Sequence, residues 1–331
     1  MSIRDNILAT LAYYDVFDFP LKAEEVAARF VNFRHLNQFS DIARPLVLRC
    51  PQIQEIKKDL DQLILDGLVG RAGEYYFLFD REYLAPLRLK REKTANRKWR
   101  IARRAIWWLR FVPYVQAVFA SGSLAMRNTD ELSDLDVLIV VKHGRIWLAR
   151  FLILAVLSIL GVRRRGSDKI APDKICPNHF ITDKSLCIPF KSIYTAQTYA
   201  NLVPIYCRAI ELIQRFKEAN QWVLDYVSQW NFNFVEVKPQ QKPQQPMFGS
   251  STSKHWSVAQ SLENWLRQYQ SKRIARNPHT GQPGGRVIYT DEQLEFHPSS
   301  IESGIIRKYN QKMKDLGLDQ FAQEKSSLDK F

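Results

Sequence analysis

Apolar positions change their period several times along the chain, and each change predicts an element. Ile3, Ile7, Leu8, Leu11 and Val16 fall at helical spacing, so residues 3–16 are expected to form a helix. Pro20 opens a second helix over 21–30, because proline suits a first turn. A polar, irregular connection leads to Cys50. Residues 51–66 then carry Ile53, Ile56, Leu60, Leu63 and Ile64 on one helical face. Gly67-Leu68-Val69, a turn at Gly73 and Tyr75-Tyr76-Phe77-Leu78 predict a two-stranded hairpin. Helical spacing returns at Trp99, Ala102, Ile106 and Leu109, within an amphipathic helix expected over 81–111.

Two short apolar runs follow, at 115–120 and 137–141. Both are bounded and rich in β-branched or aromatic residues, so both read as strands. The helix predicted over 145–162 contains an almost wholly apolar run at 151–162, set between Arg150 and Arg163-Arg164-Arg165. A spanning helix needs about twenty apolar residues, so this one is expected to lie buried against a sheet. Residues 174–182 read as a further strand, with Pro177 favouring an edge or a first position. Residues 192–230 read as two helices, with Leu202, Ile205, Tyr206, Ala209, Leu212, Ile213 and Phe216 on the core side of the first. Residues 237–253, rich in Pro, Gln and Ser, predict an extended or disordered linker. A helix over 254–276, a plain loop at 277–285 and a last helix from near Ser299 to Leu316 complete the reading. No internal repeat is visible.

At 331 residues the chain is long enough for two or three domains, and its 46% apolar content is ordinary for globular cores. A net charge of +14 favours an anionic partner: nucleotide, nucleic acid or a membrane surface. Cys50, Cys176, Cys187 and Cys207 are scattered and form no CxxC pair. They point to a reducing, cytoplasmic setting and away from a zinc site or a disulfide framework. The first residues lack the layout of a signal peptide.

The chemistry concentrates between the two strands. Gly122-Ser123 follows the first, and Ser133-Asp134-Leu135-Asp136 opens the second. Residues i and i+2 of a strand share a face, so Asp134 and Asp136 present two carboxylates side by side. Such a pair repels itself unless a divalent cation with a taste for hard oxygen ligands neutralises it. Strand, Gly-Ser, fixed gap, Asp-x-Asp and apolar strand together resemble the signature of the polymerase-β-type nucleotidyltransferase superfamily. The likeness is close over 115–142 and looser to about 185. It implies an α+β fold: a mixed-sheet nucleotidyltransferase core over 112–190, with helices packed on one face.

It also implies that Asp134 and Asp136 hold Mg²⁺ or Mn²⁺, and that the Gly122-Ser123 turn binds a triphosphate tail. The residues agree with that role. Gly122 allows close approach of backbone N–H groups, Ser123 adds a hydroxyl, and Arg127 on the same loop can neutralise a phosphate or simply face solvent. The superfamily pattern places a third carboxylate on the later strand. Here the interior polar residues of that strand are Asn178 and His179, with Asp173 and Asp183 at its ends. Asn178 can coordinate through its amide oxygen but cannot act as a base. Asp183 is the carboxylate candidate for the catalytic set.

Upstream, three helices and a hairpin over 1–80 resemble a winged helix-turn-helix module, traced by Leu60-x-x-Leu63-x-x-x-Gly67-Leu68-Val69 and Tyr76-x-Leu78. Its third helix carries Glu55, Asp59, Asp61 and Asp66 against Lys57 and Lys58, a poor match for DNA phosphates, so partner binding or packing is preferred. The connecting segment 81–111 is the basic one, with eleven Lys or Arg against Glu82 and Glu92. It serves either as a solvated face or as an electrostatic collar for polyphosphate or a nucleic-acid acceptor. Of Trp107 and Trp108, at least one ring is expected in the core.

Beyond the core, 191–236 is expected as a helical extension and 254–331 as a C-terminal helical region. The sequence therefore predicts a Mg²⁺-dependent nucleotidyltransferase. It would move a nucleoside monophosphate from an NTP to an acceptor hydroxyl and release pyrophosphate. A small hydroxylated molecule, an RNA end and a protein side chain all remain open as acceptor. The alternative is a catalytically weak protein of the same fold, acting as a nucleotide-binding, regulatory or nucleic-acid-binding factor.

Overall fold

A computed structural model describes residues 2–39, 51–166, 168, 170–232 and 253–330. Of the linker expected over 237–253, residues 237–252 lie outside the described residues and Ser253 begins a helix; the connection over 40–50, with Cys50, also lies outside them.

Three helices, α1 (Ile3–Asp15), α2 (Ala23–Ala28) and α3 (Ile53–Leu65), precede an antiparallel hairpin of β1 (Val69–Ala72) and β2 (Tyr75–Leu78). Ser2 and Asp5 form a capping box that satisfies the first N–H groups of α1. Ile7, Leu11, Ile56, Leu60 and Leu63 share one buried core with Tyr309 and Met313 from the far end of the chain. The N-terminal segment is thus closed by α10 (Glu302–Asp315).

The long helix α4 (Leu84–Leu109) occupies the basic stretch. Its first half binds the N-terminal segment. Arg88, almost fully buried, donates to the Pro20 carbonyl at 3.0 Å and to Glu25 and Glu92, each at 2.8 Å. Its second half sends Trp99, Ala102, Ile106 and Leu109 into the core of the sheet.

The sheet is mixed and six-stranded, with order β6-β3-β4-β5-β8-β7. Its strands are β3 (Val115–Ala120), β4 (Leu135–Val141), β5 (Ile175–Thr182), β6 (Val203–Cys207), β7 (Arg286–Tyr289) and β8 (Gln293–His297). β4 and β5 are parallel, and every other pair is antiparallel. Parallel neighbours need a crossover, and the apolar helix α6 (Ile146–Ile159) supplies it. Helix α6, 14 residues long, is buried against the sheet as expected, and among the described residues no helix is long and apolar enough to cross a membrane.

The α+β class holds, but three expectations are corrected. Helices cover both faces of the sheet, not one. Leu135, Val137, Ile139 and Val141 share a core with α4, α6 and α9 (Ser253–Ala275). Leu138 and Val140 meet α7 (Ile193–Ala200) and α8 (Ile210–Ala219) on the other side. A strand buried on both faces reads as a continuous apolar run, which is why β4 shows no alternation. Second, residues 203–207 are not helical. They form edge strand β6, where Pro204 needs no ladder partner for its missing N–H. Third, the C-terminal region is not purely helical, because β7 and β8 add a hairpin to the sheet beside β5.

Candidate active site

β3 and β4 run antiparallel, so the end of β3 and the start of β4 meet at one end of the sheet. The chain leaves β3 through Ser121, whose N–H donates to the Asp136 carbonyl at 3.0 Å. It then turns at Gly122 into a four-residue helical turn, α5 (Gly122–Ala125). Gly122 has φ +58°, and a Cβ added there would lie 3.2 Å from Asp136 Oδ2. Both the turn and the closeness of the carboxylate call for glycine at this position.

The loop between α5 and β4 is built rather than slack. Asp130 Oδ1 accepts from the N–H groups of Leu132 and Ser133, at 3.0 and 2.7 Å, and from the Ser133 hydroxyl at 2.7 Å. The Ser133 hydroxyl is the leading cause of the lowered pKa of Asp130. From α4, fully buried Lys98 donates to the carbonyls of Glu131 at 3.2 Å and Ser133 at 2.7 Å, and to Asp173 at 2.8 Å. Trp99 donates its indole N–H to the Leu124 carbonyl at 3.1 Å. Arg91 ties Asn128 to the carbonyls of Phe17 and Asp18. Part of the basic face of α4 therefore holds this loop in place instead of facing solvent.

Asp134 and Asp136 converge. Together with Cys176, which lies opposite Asp136 on β5, they place ligand atoms within 4.8 Å of one another. Burial and the negative charge of Asp134 push the Asp136 carboxyl well above the usual carboxylate range. Asn178 answers that charge, donating from Nδ2 to Asp136 Oδ1 at 2.9 Å. Arg164 pairs with Asp134 and lies 3.7 Å from the Cys176 sulfur. Burial and the two aspartates push the Cys176 thiol up, so it stays protonated.

The later strand does not bring Asp183 to the pair. Thr182 pairs with Val141 at the far end of β4, whereas Cys176 pairs with Asp136 at the near end. Six residues of strand separate these levels, about 20 Å. Asp183 instead accepts from the His143 N–H at 2.9 Å. From β5, Cys176 and Asn178 reach Asp136, and they offer a thiol and an amide, not a carboxylate. Neighbouring His179 is buried and turned to other partners, the Tyr199 hydroxyl at 3.2 Å and Gln293 at 3.1 Å. Arg127 has φ +59° and donates to Asn96 of α4. The sequence offers Arg163-Arg164-Arg165 as a basic turn that touches a triphosphate or ends a helix, and Lys98 as one of eleven cations over 81–111. Each sat in a basic run, and nothing in a run marks which cation turns inward.

The donor set fits a hard divalent cation in part. Two carboxylates converge, one has its charge disfavoured by the other, and an amide stands beside them. The protonated thiol is no hard ligand. The guanidinium of Arg164 already supplies positive charge to Asp134.

No family model matches the sequence, and no curated protein or solved structure matches it either.

Proposed function

We propose that the protein binds a nucleoside triphosphate at the Gly122 turn and transfers its nucleoside monophosphate to an acceptor hydroxyl. The observation that carries this reading is the 3.2 Å approach of the Gly122 Cβ position to Asp136 Oδ2, with Asp134 converging on the same point. A glycine turn beside paired carboxylates combines a backbone cradle for phosphate with ligands for a cation.

Asp134 and Asp136 would hold Mg²⁺ or Mn²⁺. Such an ion, when bound, supplies neutralising charge to a triphosphate and polarises its α-phosphate. The remaining roles belong to the chain. Gly122 keeps space open above Asp136, and Ser123 offers a hydroxyl to phosphate. Arg127, held to Asn96, keeps further N–H groups for an anionic oxygen. Lys98 and Asp130 fix the loop that carries Asp134, so the two carboxylates stand close together before ligand arrives. The acceptor oxygen bonds to the α-phosphorus in line as the bond to the bridging oxygen breaks, pyrophosphate leaves, and the hydroxyl proton is released to solvent water. Asn178 cannot take the hydroxyl proton.

A second reading is favoured by two observations. Asn178 stands where a third carboxylate would serve as base, and Arg164 already neutralises Asp134. Both suit a protein that binds nucleotide and turns it over slowly or not at all.

Calorimetric titration with NTPs, with and without Mg²⁺, tests the binding shared by both readings. Binding should need the metal and disappear in Asp134→Ala. Metal-independent binding that Asp134→Ala leaves intact would remove both readings. Pyrophosphate release separates them: turnover in the wild type supports transfer, whereas turnover appearing only in Asn178→Asp supports the binding factor.

A further inference from the structure

The last turns of α4 carry a feature that the nucleotide site does not use. Arg100, Arg103, Arg104, Trp107, Trp108 and Phe111 recur at spacings of three and four, so they occupy one face of the helix and its immediate exit. The opposite face, with Ala102, Ala105, Ile106 and Leu109, is buried in the core of the sheet. On the outward face Trp107, Trp108 and Phe111 are 48%, 49% and 55% exposed. Three large rings left this open on a chain with well-filled cores are out of place in water.

The rings form a unit. Trp107 meets Trp108 edge to face with ring centroids 4.9 Å apart, and Phe111 edge to face at 5.1 Å. Arg110 lies over Trp107 at 5.7 Å and over Phe111 at 5.2 Å. The ion pairs of α4 stop at Lys98: Arg88 with Glu25 and Glu92, and Arg97 and Lys98 with Asp173. Among the described residues, Arg100, Arg103, Arg104 and Arg110 have no such carboxylate partner. The segment 100–111 holds these four arginines and no acid.

We propose that this tip is a membrane-surface anchor that docks on a bilayer rich in anionic lipid. Charge complementarity selects an anionic partner, and the axial order selects a bilayer. The aromatic rings sit at the end of the helix, and Arg103 and Arg104 lie about one turn behind them, roughly 6 Å at 1.5 Å per residue. An interfacial element buries its apolar side about 5–10 Å into the boundary between headgroups and acyl chains. Rings at that depth leave the arginines level with lipid phosphates. Trp is at home in this layer, and basic residues near it gain from anionic headgroups. Nucleic acid fits less well. Base stacking needs open ring faces, whereas these rings interlock at 88° and 77° and Arg110 covers two of them. The tip lies at the end of the sheet where β3 begins, opposite the Gly122 end, so docking leaves the carboxylate site open.

The test is flotation of the full chain with phosphatidylcholine vesicles, with and without added phosphatidylserine. The protein should float with the anionic vesicles only, and its tryptophan emission should shift to the blue. The double variants Trp107→Ser/Trp108→Ser and Arg103→Glu/Arg104→Glu should each weaken binding about tenfold or more. Both replace exposed side chains, and an unchanged circular dichroism spectrum verifies the fold. Absence of flotation, or flotation equal in wild type and both variants, overturns the proposal. So does an RNA oligonucleotide that binds through these same residues while vesicles do not, or a dimer in solution that Trp107→Ser/Trp108→Ser splits.

Discussion

Arg164 is paired with Asp134, so the carboxylate pair that opens β4 already has a cation beside it. The guanidinium comes from the segment after α6, which runs next to the start of β5 through the bridge between Arg163 and Ile175. Its position explains how two aspartates can share a half-buried place. The charge that Asp134 imposes on Asp136 is partly offset by Arg164.

Replacing that guanidinium separates two effects. In Arg164→Met the metal-free protein should lose stability, because the two carboxylates then repel without their nearest counter-charge. The same variant should bind Mn²⁺ more tightly than the wild type, since no guanidinium competes for Asp134. Calorimetric titration reads the second effect, and weaker Mn²⁺ binding would contradict the place given to Arg164.

Gly122→Ala should be harmful out of proportion to its size. The positive φ costs a residue with a Cβ about 1–2 kcal/mol, and the new methyl would also crowd Asp136 at 3.2 Å. Thermal unfolding should report the loss, and nucleotide binding should fall with it. A variant with wild-type stability and binding would show that the turn tolerates a side chain.

Lys98→Met tests whether a basic residue of α4 works from inside the protein. Methionine keeps much of the volume but leaves the carbonyls of Glu131 and Ser133 without their donor. The expected cost is about 2 kcal/mol in urea unfolding. Arg97, paired to the same Asp173 and partly exposed, gives the contrast. Arg97→Met should cost less than half as much, because exposed pairs contribute little.

Acid should loosen the C-terminal hairpin. Burial above all holds His179 down to about 3 and His297 down to about 4, against an ordinary value near 6.5. Glu295 lies 3.8 Å from His179, but burial and Arg286 keep that ring neutral. Between pH 6.5 and 4 the unfolded chain therefore takes up protons that the folded chain refuses. Stability from these groups is fully present above pH 6.5 and is lost as pH falls toward 4. His179→Gln should flatten the dependence of the urea midpoint between pH 6.5 and 5. An unchanged slope would show that His179 is charged in the folded protein.

Local signals were legible where one rule governed a segment. Gly122, Ser123, Asp134 and Asp136 were visible as a motif because a glycine turn and an i, i+2 carboxylate pair depend on a few neighbouring residues. β6 was hidden because 202–216 also fits a helical period, and only the open edge of β3 makes 203–207 extend. The hairpin of β7 and β8 left a trace in Val287-Ile288-Tyr289, but four residues of strand are too few to outweigh the loop before them. Trp107 and Trp108 met the opposite fate from the one expected, since both rings stay half-exposed.

By itself the sequence determined the long basic helix, the buried α6 and the closeness of Asp134 to Asp136, because each follows from periodicity or spacing within one stretch; the α+β class was implied by the motif's resemblance. Tertiary structure alone decided that helices cover both faces, that Asn178 and not Asp183 reaches Asp136, and that Lys98 and Arg164 turn inward. Those outcomes depend on strand register and on which segments meet across thirty or more residues of chain. Register slides a side chain along a sheet by 3.3 Å per residue, and no local pattern encodes that distance.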